Sequence, residues 1–343
     1  MSQRHDGEDP RVRVRPNPRG TRPRTKVRPA HADAVPGLVT AVDRGRFAVL
    51  RDDGSRVTAV KARELGRTGA VVVGDRVDLV GDVSGAPGTL ARVVRVRPRT
   101  TALRRSADDV DPAERVLVAN ADQLVVVTAL ANPEPRSRMV DRCLVAAYDA
   151  GMTPVLLLTK ADLADPGPFL AGYAALDVPA LVTSRGPDGL VGLETVRERL
   201  TGHVSVLVGH SGVGKSTIVN ALVPAADRAT GDVNVVTGRG RHTSSSAVAL
   251  ALPGGGWVVD TPGVRSFGLA HVGPDDLLAA FEDLAAVAAE RCPRGCTHAD
   301  DAPDCALDDW VASGAAGEAG QARLASFRRL LASRAGGDDT ESR

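Results

Sequence analysis

The chain has 343 residues, of which 43% are hydrophobic and 25% charged, a composition that supports a sizeable core and excludes disorder throughout. It has no run of about eighteen apolar residues, and its first residues, MSQRHDGEDPRVRVRP, contain no apolar signal region. We therefore expect a cytoplasmic, multidomain protein without a membrane partner.

The formal net charge of +1 hides an uneven distribution. Residues 1–105 carry 23 basic and 11 acidic side chains, a net charge of +12, whereas residues 106–343 carry 20 basic and 31 acidic side chains, a net charge of −11. Such asymmetry indicates a basic module for polyanions joined to a part with another task. Two solvated surfaces of different charge bias are the alternative.

The N-terminal third of the chain is predicted to contain a basic arm and a small barrel. Residues 1–34 mix Arg with Pro and lack an apolar period, which predicts a disordered arm. Residues 35–105 contain short β-type runs separated by turn residues, which predict an N-terminal OB-fold β-barrel that binds RNA. Because Phe47 is the only aromatic residue of this segment, we expect phosphate contacts rather than base stacking. The candidate side chains are Arg44, Arg46, Arg51, Arg56, Arg92, Arg95, Arg97 and Arg99.

From residue 106 to about residue 270, strand-like and helical segments alternate. The strand-like segments are QLVVVT, PVLLLT, ALVT and HVSVLVG, and helices are predicted near residues 138–150 and 190–200. The alternation predicts an α/β domain with a parallel sheet and helices on both faces. Residues 271–343 are rich in Leu, Ala and Glu, which predicts a helical C-terminal domain.

The most specific motif is a phosphate-binding loop after the strand VSVLV. Its glycines allow backbone N–H groups to surround the β-phosphate, while Lys215 reaches the β- and γ-phosphate oxygens and Ser216 ligates Mg²⁺. The nucleotide-binding residues predicted here are Gly209, His210, Ser211, Gly212, Val213, Gly214, Lys215, Ser216 and Thr217. This loop alone does not distinguish GTP from ATP.

A guanine-binding motif is predicted at the end of the strand PVLLL. A carboxylate at Asp162 accepts hydrogen bonds from the ring N–H and the exocyclic amine of guanine, a pair that adenine does not offer. The stem of Lys160 covers the base, and Ser184, after the next strand, offers a backbone N–H to the guanine oxygen. The motif consists of Thr159, Lys160, Ala161 and Asp162. As an isolated tetrapeptide, it is equally compatible with an ordinary helix start.

Two further segments predict the magnesium side of the nucleotide site. Asp260 follows the strand WVV and can hold Mg²⁺ through water, and the N–H of Gly263 can reach the γ-phosphate. Thr243 lies in a polar segment between the phosphate-binding loop and Asp260, from which it can ligate Mg²⁺. Thr243, Lys215 and Asp260 are therefore candidate catalytic residues.

These motifs occur in an unusual order, because the guanine motif precedes the phosphate-binding loop and Asp260. In this order, and in the segments PRTTALRR, ANADQLVVV, GHSGVGKST, RHTSS and DTPGVRSFGL, the chain resembles the RsgA family of circularly permuted, ribosome-dependent GTPases. The resemblance implies an OB-fold at residues 35–105, a circularly permuted P-loop GTPase domain at 106–270 and a zinc-binding domain at 271–343. It further implies action late in maturation of the 30S ribosomal subunit, with GTP hydrolysis to GDP stimulated by that subunit. The expected partners are GTP, GDP and the 30S subunit with its 16S rRNA, and we expect a monomer.

The same resemblance assigns His242 the role of orienting the attacking water. Ras-like GTPases use a glutamine after this DxxG motif, whereas this chain has Val264, which cannot orient water. His242 precedes Thr243, and an imidazole can hydrogen-bond water near neutral pH. A solvated loop histidine without a catalytic role is the alternative.

A Cys/His cluster near the C-terminus predicts one structural Zn²⁺. Three thiolates and one imidazole complete a tetrahedral site without an open position. The predicted ligands are Cys292, Cys296, His298 and Cys305. The first two cysteines are one residue closer together than in the family pattern, and the histidine and last cysteine one residue farther apart, so Asp304 is a competing ligand. Buried free cysteines with a chance histidine are the alternative, and Cys143 is predicted to lie in the core.

The predicted function is therefore a GTP hydrolase that assists 30S maturation. The alternative is an RNA-binding 30S assembly factor whose nucleotide site is an occupancy switch with negligible turnover, which Val264 favours. A large-subunit permuted GTPase is disfavoured by the flanking domains, and an ATP-dependent kinase is disfavoured by Asp162.

Overall fold

The computed structural model of this chain describes residues 31–66, 70–106, 114–224, 247–261, 267, 269 and 272–334. Backbone contacts divide the chain into one unit at residues 1–32 and a second at residues 33–343. The arm predicted at residues 1–34 lies largely outside the described residues and stays a prediction.

Five strands form a closed barrel at the start of the second unit. They are β1 (Val35–Asp43), β2 (Arg46–Arg51), β3 (Arg56–Lys61), β4 (Arg76–Gly81) and β5 (Ala91–Val96). In the order β1-β2-β3-β5-β4, neighbours pair antiparallel except for the parallel β3–β5 pair, and β4 pairs back onto β1. Val39, Val49 and Val77 lie in the core of the barrel. This closure is the OB-type topology that the sequence predicts.

A largely parallel sheet follows the barrel along the chain. Its strands are β8 (Gln123–Ala129), β9 (Thr153–Thr159), β10 (Ala180–Val182), β13 (Val204–Val208), β14 (Val248–Ala251) and β15 (Trp257–Asp260). They are arranged in the order β10-β9-β8-β13-β15-β14, with only β14 antiparallel to its sheet neighbour β15. One pair, Ala41 with Val248, joins β14 to the barrel strand β1. Two small hairpins complete the strands, β6 (Ala102–Ser106) with β7 (Glu114–Ala119) and β11 (Ser184–Gly186) with β12 (Gly189–Val191).

Helices cover both faces of this sheet. They are α1 (Ser137–Asp149), α2 (Gly167–Ala171), α3 (Leu193–Leu200), α4 (Lys215–Leu222), α5 (Pro274–Leu278), α6 (Glu282–Arg291), α7 (Ala306–Ala312) and α8 (Gly320–Ser333). Along β8, Leu124 and Val126 pack in one core with α1 and the C-terminal helices, whereas Val125 and Val127 pack in a second core with α3 and α4. The uninterrupted apolar run of β8 therefore reflects a parallel strand buried on both faces.

The helix predicted near residues 190–200 begins later, at Leu193. Gly192 has a φ angle of +81°, and a Cβ atom there would lie 2.2 Å from the carbonyl oxygen of Val182. A left-handed glycine thus allows the chain to pass close to β10 before the helix starts.

The described helices include none that is both long and apolar enough to cross a membrane. The predicted boundary between the barrel and the GTPase domain, at residues 105 and 106, falls within β6. The domain limits stay predictions.

Candidate nucleotide and metal sites

The predicted nucleotide motifs meet at one edge of the parallel sheet. Thr159 ends β9, Val182 ends β10, Val208 ends β13 and Asp260 ends β15. Because these strands are parallel neighbours, their carboxyl ends lie side by side, which is where ligands bind in open α/β sheets. Motifs that are far apart along the chain are therefore close in space.

The phosphate-binding loop joins β13 to α4 through three glycines with positive φ. These are Gly209 at +157°, Gly212 at +82° and Gly214 at +92°. A Cβ atom at Gly209 would lie 2.3 Å from the carbonyl oxygen of Val127, so only glycine fits beside β8. Lys215 begins α4, and its Nζ lies 3.4 Å from the Gly209 carbonyl oxygen. A glycine-rich turn that ends at a helix N-terminus is suited to bind phosphate.

The guanine motif is tied to the loop after β10. The backbone N–H of Arg185 donates to Oδ1 of Asp162 at 2.8 Å, and the backbone N–H of Ala161 donates to the Thr183 carbonyl at 3.1 Å. The hydrogen bond from Arg185 holds the pKa of the Asp162 carboxyl below its ordinary value. Asp162 is thus an ionised acceptor, with Ser184 next to its hydrogen-bond partner.

Two contacts connect the guanine motif to neighbouring loops. The buried Thr159 hydroxyl donates to the carbonyl oxygen of Val213 in the phosphate-binding loop at 2.6 Å. The Lys160 ammonium donates to the carbonyl oxygen of Asn132, in the loop between β8 and α1. The base-binding and phosphate-binding parts of the site are therefore fixed relative to each other.

Asp260 has the environment expected of a cation ligand. Its Oδ1 is buried and has no hydrogen-bond partner among the described residues. Burial raises the pKa of Asp260, an effect that the charge of Lys215 opposes. A buried carboxylate oxygen without a donor is available as a ligand for a cation, so Asp260 fits the predicted role in holding Mg²⁺.

Four potential ligands come together in the C-terminal region. Cys292 follows α6, Cys305 precedes α7, and the ligand atoms of Cys292, Cys296, His298 and Cys305 all lie within 4.8 Å of one another. Nδ1 of His298 lies 3.6 Å from the Cys292 sulfur and 3.9 Å from the Cys305 sulfur. Burial raises the pKa of the Cys305 thiol to about 11, so its thiolate form needs a nearby cation. The cluster could hold a metal ion, and Asp304 is not part of it.

An arginine of α8 holds the metal-binding loop in place. Nε of Arg328 donates to the backbone carbonyl of His298 at 3.1 Å, and its two terminal nitrogens donate to the Asp308 carboxylate at 2.7 Å each. His298 itself has a φ of +56°, an uncommon conformation that this contact helps to maintain. The position of the histidine therefore depends on α8.

The barrel arginines fall into two groups, those that pair with a carboxylate of the barrel and those that do not. Arg51 belongs to the first group, at 2.9 Å from Asp53. Arg95 and Arg97 pair with the buried Asp78 at 3.0 and 2.7 Å, and Arg99 pairs with the buried Asp75 at 2.7 Å. Because these arginines are already paired with carboxylates, they are weaker candidates for binding phosphate than the sequence predicted. The exposed members that form no ion pair within the described residues are Arg44, Arg46, Arg56 and Arg92.

Comparison with known proteins now decides the family. The sequence model of the RsgA GTPase family matches residues 96–270. A curated relative, the small ribosomal subunit biogenesis GTPase RsgA of Pseudomonas aeruginosa (strain LESB58), is 40% identical over 270 residues, which cover 77% of this chain and 76% of the relative. The chain belongs to the RsgA GTPase family. It is therefore a GTP-hydrolysing enzyme.

Solved structures agree with the fold of the RsgA GTPase family. YjeQ from Thermotoga maritima matches with a TM-score of 0.64 and 25% identity, covering 89% of this chain and 100% of that chain. YloQ, whose structure is described as a circularly permuted GTPase, matches with a TM-score of 0.61 and 21% identity, covering 91% and 100%. The predicted OB-type barrel, permuted P-loop domain and helical metal-binding region are confirmed.

Part of the predicted RsgA-type site lies outside the described residues. His242, Thr243 and Gly263 belong to this part, as does Val264. The other predicted nucleotide residues lie at the sheet edge, and the four predicted metal ligands form one cluster.

The sequence did not point to Asn132 or Arg328. An Asn-Pro pair just after a strand that ends at the nucleotide edge was the available signal for Asn132. An arginine within a helical segment carries no such signal, because nothing in its neighbourhood along the chain shows that it reaches His298.

Proposed function

We propose that this enzyme hydrolyses GTP to GDP during biogenesis of the small ribosomal subunit, as the names of its curated relatives indicate for them. The observation that carries the nucleotide assignment is the hydrogen bond from Thr159 to Val213, which joins the guanine motif to the phosphate-binding loop. Asp162 would then select guanine while the loop binds the phosphates of the same nucleotide.

Each part of the nucleotide site has a separate task in this proposal. The N–H groups of the loop at residues 209–214 and of Ser216 and Thr217 hold the β-phosphate, and Lys215 contacts the β- and γ-phosphates. Ser216, Thr243 and Asp260 would hold Mg²⁺, which when bound would neutralise developing charge on the phosphates. Ser184 and Asp162 would bind the guanine edge, and the N–H of Gly263 would donate to the γ-phosphate.

We assign His242 to the positioning of the attacking water. The support is the family membership together with Val264, which cannot hydrogen-bond water. His242→Ala should retain GTP affinity and lose about 100-fold in the hydrolysis rate. His203→Ala changes a half-exposed histidine just before β13, at the end of that strand opposite the phosphate-binding loop, and should hydrolyse GTP at the wild-type rate. A wild-type rate in the His242→Ala protein with small subunits present would remove this assignment.

We propose that the metal of the Cys/His cluster is one structural Zn²⁺. Three thiolates and one imidazole are the ligand set of closed tetrahedral zinc sites. Metal analysis of purified protein should give about one zinc per chain. Protein that contains no zinc and folds identically after chelation would contradict the assignment.

We infer that the exposed barrel arginines contact the 16S rRNA of the 30S subunit, and that the enzyme works in the cytoplasm as a monomer. Arg46→Glu with Arg92→Glu should weaken subunit binding and flatten its dependence on salt. Arg197→Glu, a single charge reversal in the acidic part of the chain, is the control and should bind normally. Equal weakening by both variants would argue against a barrel-specific contact.

Phosphate release in the presence of 30S, 50S and 70S particles tests the function as a whole. Selective stimulation by 30S particles supports the proposed enzyme. Negligible turnover with nucleotide-dependent 30S binding would instead support the occupancy switch. Hydrolysis of ATP as fast as GTP would contradict the role of Asp162.

A further inference from the structure

Arg142 is a buried arginine that none of the nucleotide or metal motifs includes. It lies in α1 and is 8% exposed. Its Nη1 donates to the backbone carbonyl of Ser333 at 3.0 Å, and its Nη2 donates to the backbone carbonyl of Phe267. One guanidinium thus joins three parts of the chain that are more than 60 residues apart in sequence.

The contact with Ser333 is a helix cap. Ser333 is the last residue of α8, where carbonyl groups lack partners within the helix. The C-terminal end of a helix also carries partial negative charge, which favours a cation. Arg142 therefore stabilises the end of α8, and its planar group carries a second terminal nitrogen that donates to another carbonyl.

The second partner of Arg142, Phe267, is close in sequence to the predicted nucleotide site. Phe267 follows the predicted magnesium residue Asp260 by seven positions. Phe267, Leu269 and Val272 are each at most 3% exposed and pack in the core that α1 shares with the C-terminal helices. The carbonyl of Val272 accepts a hydrogen bond from Arg334, just after α8. The guanidinium groups of Arg142 and Arg334 thus attach the carbonyls of Phe267 and Val272 to the C-terminal end of α8.

The same helix also contacts the metal cluster. Arg328 of α8 holds the carbonyl of His298, as described above. A set of contacts therefore leads from Phe267, through Arg142 and α8, to the metal-binding loop. Packed interfaces often switch between discrete arrangements. A displacement of Phe267 would therefore change the position of the C-terminal end of α8.

We propose that Arg142 is a positioning residue that couples the nucleotide state at Asp260 to α8 and the metal-binding loop. A change of nucleotide at Asp260 would reach the carbonyl of Phe267 along the chain, and Arg142 would transmit a displacement of that carbonyl to the end of α8. The coupling is reciprocal, so a partner that displaces α8 changes the hydrolysis rate. This role rests on guanine-nucleotide binding in the proposed function and requires no ribosomal partner.

Hydrogen–deuterium exchange of the isolated full-length protein tests the coupling. Amide exchange in residues 320–334 should differ by about threefold or more between the GDP-bound protein and the protein bound to a non-hydrolysable GTP analogue. In Arg142→Lys, which keeps the positive charge but replaces two separated terminal nitrogens with one, this difference should fall below about 1.5-fold. GDP affinity, measured in parallel, shows that the nucleotide site is intact.

The matched control is Arg323→Lys. Arg323 also anchors α8, through Asp283 and Asp177, but it does not touch the segment after Asp260. This variant should keep the nucleotide-dependent difference of the wild-type protein. A control that loses the difference as fully as Arg142→Lys would show general loosening of α8 and overturn the assignment.

A second variant covers the case in which Arg142→Lys does not fold. Arg334→Met removes the other guanidinium from the segment and leaves α1 unchanged, and it should reduce the difference by at least about half. Full nucleotide dependence in both folded variants would overturn the role of Arg142, as would a wild-type α8 that exchanges equally in both nucleotide states.

Discussion

The nucleotide edge of the sheet and the C-terminal helical region are held together in different ways. At the nucleotide edge, contiguous motifs follow the ends of parallel strands, and backbone groups such as the Val213 carbonyl make the linking contacts. In the C-terminal region, three guanidinium groups of α8 join positions that are distant along the chain, and four potential metal ligands form one cluster. The first region is set by local backbone geometry, and the second by long side chains and a set of potential metal ligands.

This difference predicts different responses to substitution. Changes at the nucleotide edge should affect nucleotide binding and turnover while the fold persists, because the sheet is supported by two hydrophobic cores. Changes among the metal ligands should affect folding first, since metal binding contributes directly to the folding of such sites.

The largest effect is expected for Cys305→Ala. Loss of one of four ligands should reduce the bound metal from about one per chain to below about 0.1, and should increase hydrogen exchange in α7 and α8. GDP affinity should stay within about threefold of wild type. Metal content is measured by elemental analysis, and Cys143→Ala, which changes the buried cysteine of α1, should retain its metal. If the Cys305→Ala protein keeps a full metal complement, the cluster is not the site.

The next largest effect is expected for Lys215→Met. Removal of the charge that contacts the phosphates should lower the GTP hydrolysis rate by about 100- to 1000-fold with little change in thermal stability. Lys61→Met, at the end of barrel strand β3, is the control and should hydrolyse GTP normally. Single-turnover kinetics measure the effect, and a Lys215→Met rate within about tenfold of wild type would contradict it.

The sequence was sufficient to place the predicted nucleotide motifs at one edge of the sheet, because each motif is contiguous. The motif at residues 209–216 and the carboxylate at Asp162 each follow an apolar strand, and parallel strands bring their ends together without further information. The metal cluster was predicted for the same reason, since its ligands are close in sequence. His242, Thr243 and Gly263 lie outside the described residues, and their roles stay predictions.

The sequence did not predict the arginine contacts, because charge counts do not show which acidic group is nearby in space. Arg95, Arg97 and Arg99 were included with the phosphate-binding residues, yet they pair with carboxylates of the barrel itself. Arg142 lies in an apolar helical segment, and only the folded chain brings it to Ser333 and Phe267.

A smaller effect is expected for Thr159→Val. The substitution keeps the shape of the side chain but leaves the Val213 carbonyl without its donor, which should cost about 1–3 kcal/mol shared between stability and GDP affinity. Urea unfolding and nucleotide titration together measure the sum. Thr183→Val removes a longer hydrogen bond, of 3.3 Å to the Leu158 carbonyl, and should cost less. Equal losses of free energy in the two variants would show that the hydrogen bond from Thr159 to Val213 contributes no more than an ordinary one.

The smallest effect is a pH dependence in the C-terminal region. The Arg323 guanidinium holds the pKa of the Asp283 carboxyl below its ordinary value of 3.8. A lowered carboxyl pKa stabilises the fold above the ordinary value, and this contribution is lost as the pH falls through the folded-state pKa. Arg323→Met should therefore cost up to about 1 kcal/mol at about pH 6 and less at about pH 3, because the pair is partly exposed. A difference in urea stability that is the same at both pH values would contradict this account.

The central claim is that one guanine-nucleotide site, built around Asp162, performs hydrolysis that the small ribosomal subunit stimulates. The most direct test is the hydrolysis of GTP and xanthosine triphosphate by the wild-type and Asp162→Asn proteins, with and without small subunits. Xanthine has a carbonyl where guanine has an amine, and an asparagine amide offers the matching donor. The account predicts that Asp162→Asn reverses the nucleotide preference by about 100-fold or more and that subunits stimulate its hydrolysis of xanthosine triphosphate. Subunit-stimulated hydrolysis of GTP by Asp162→Asn at the wild-type rate would contradict it.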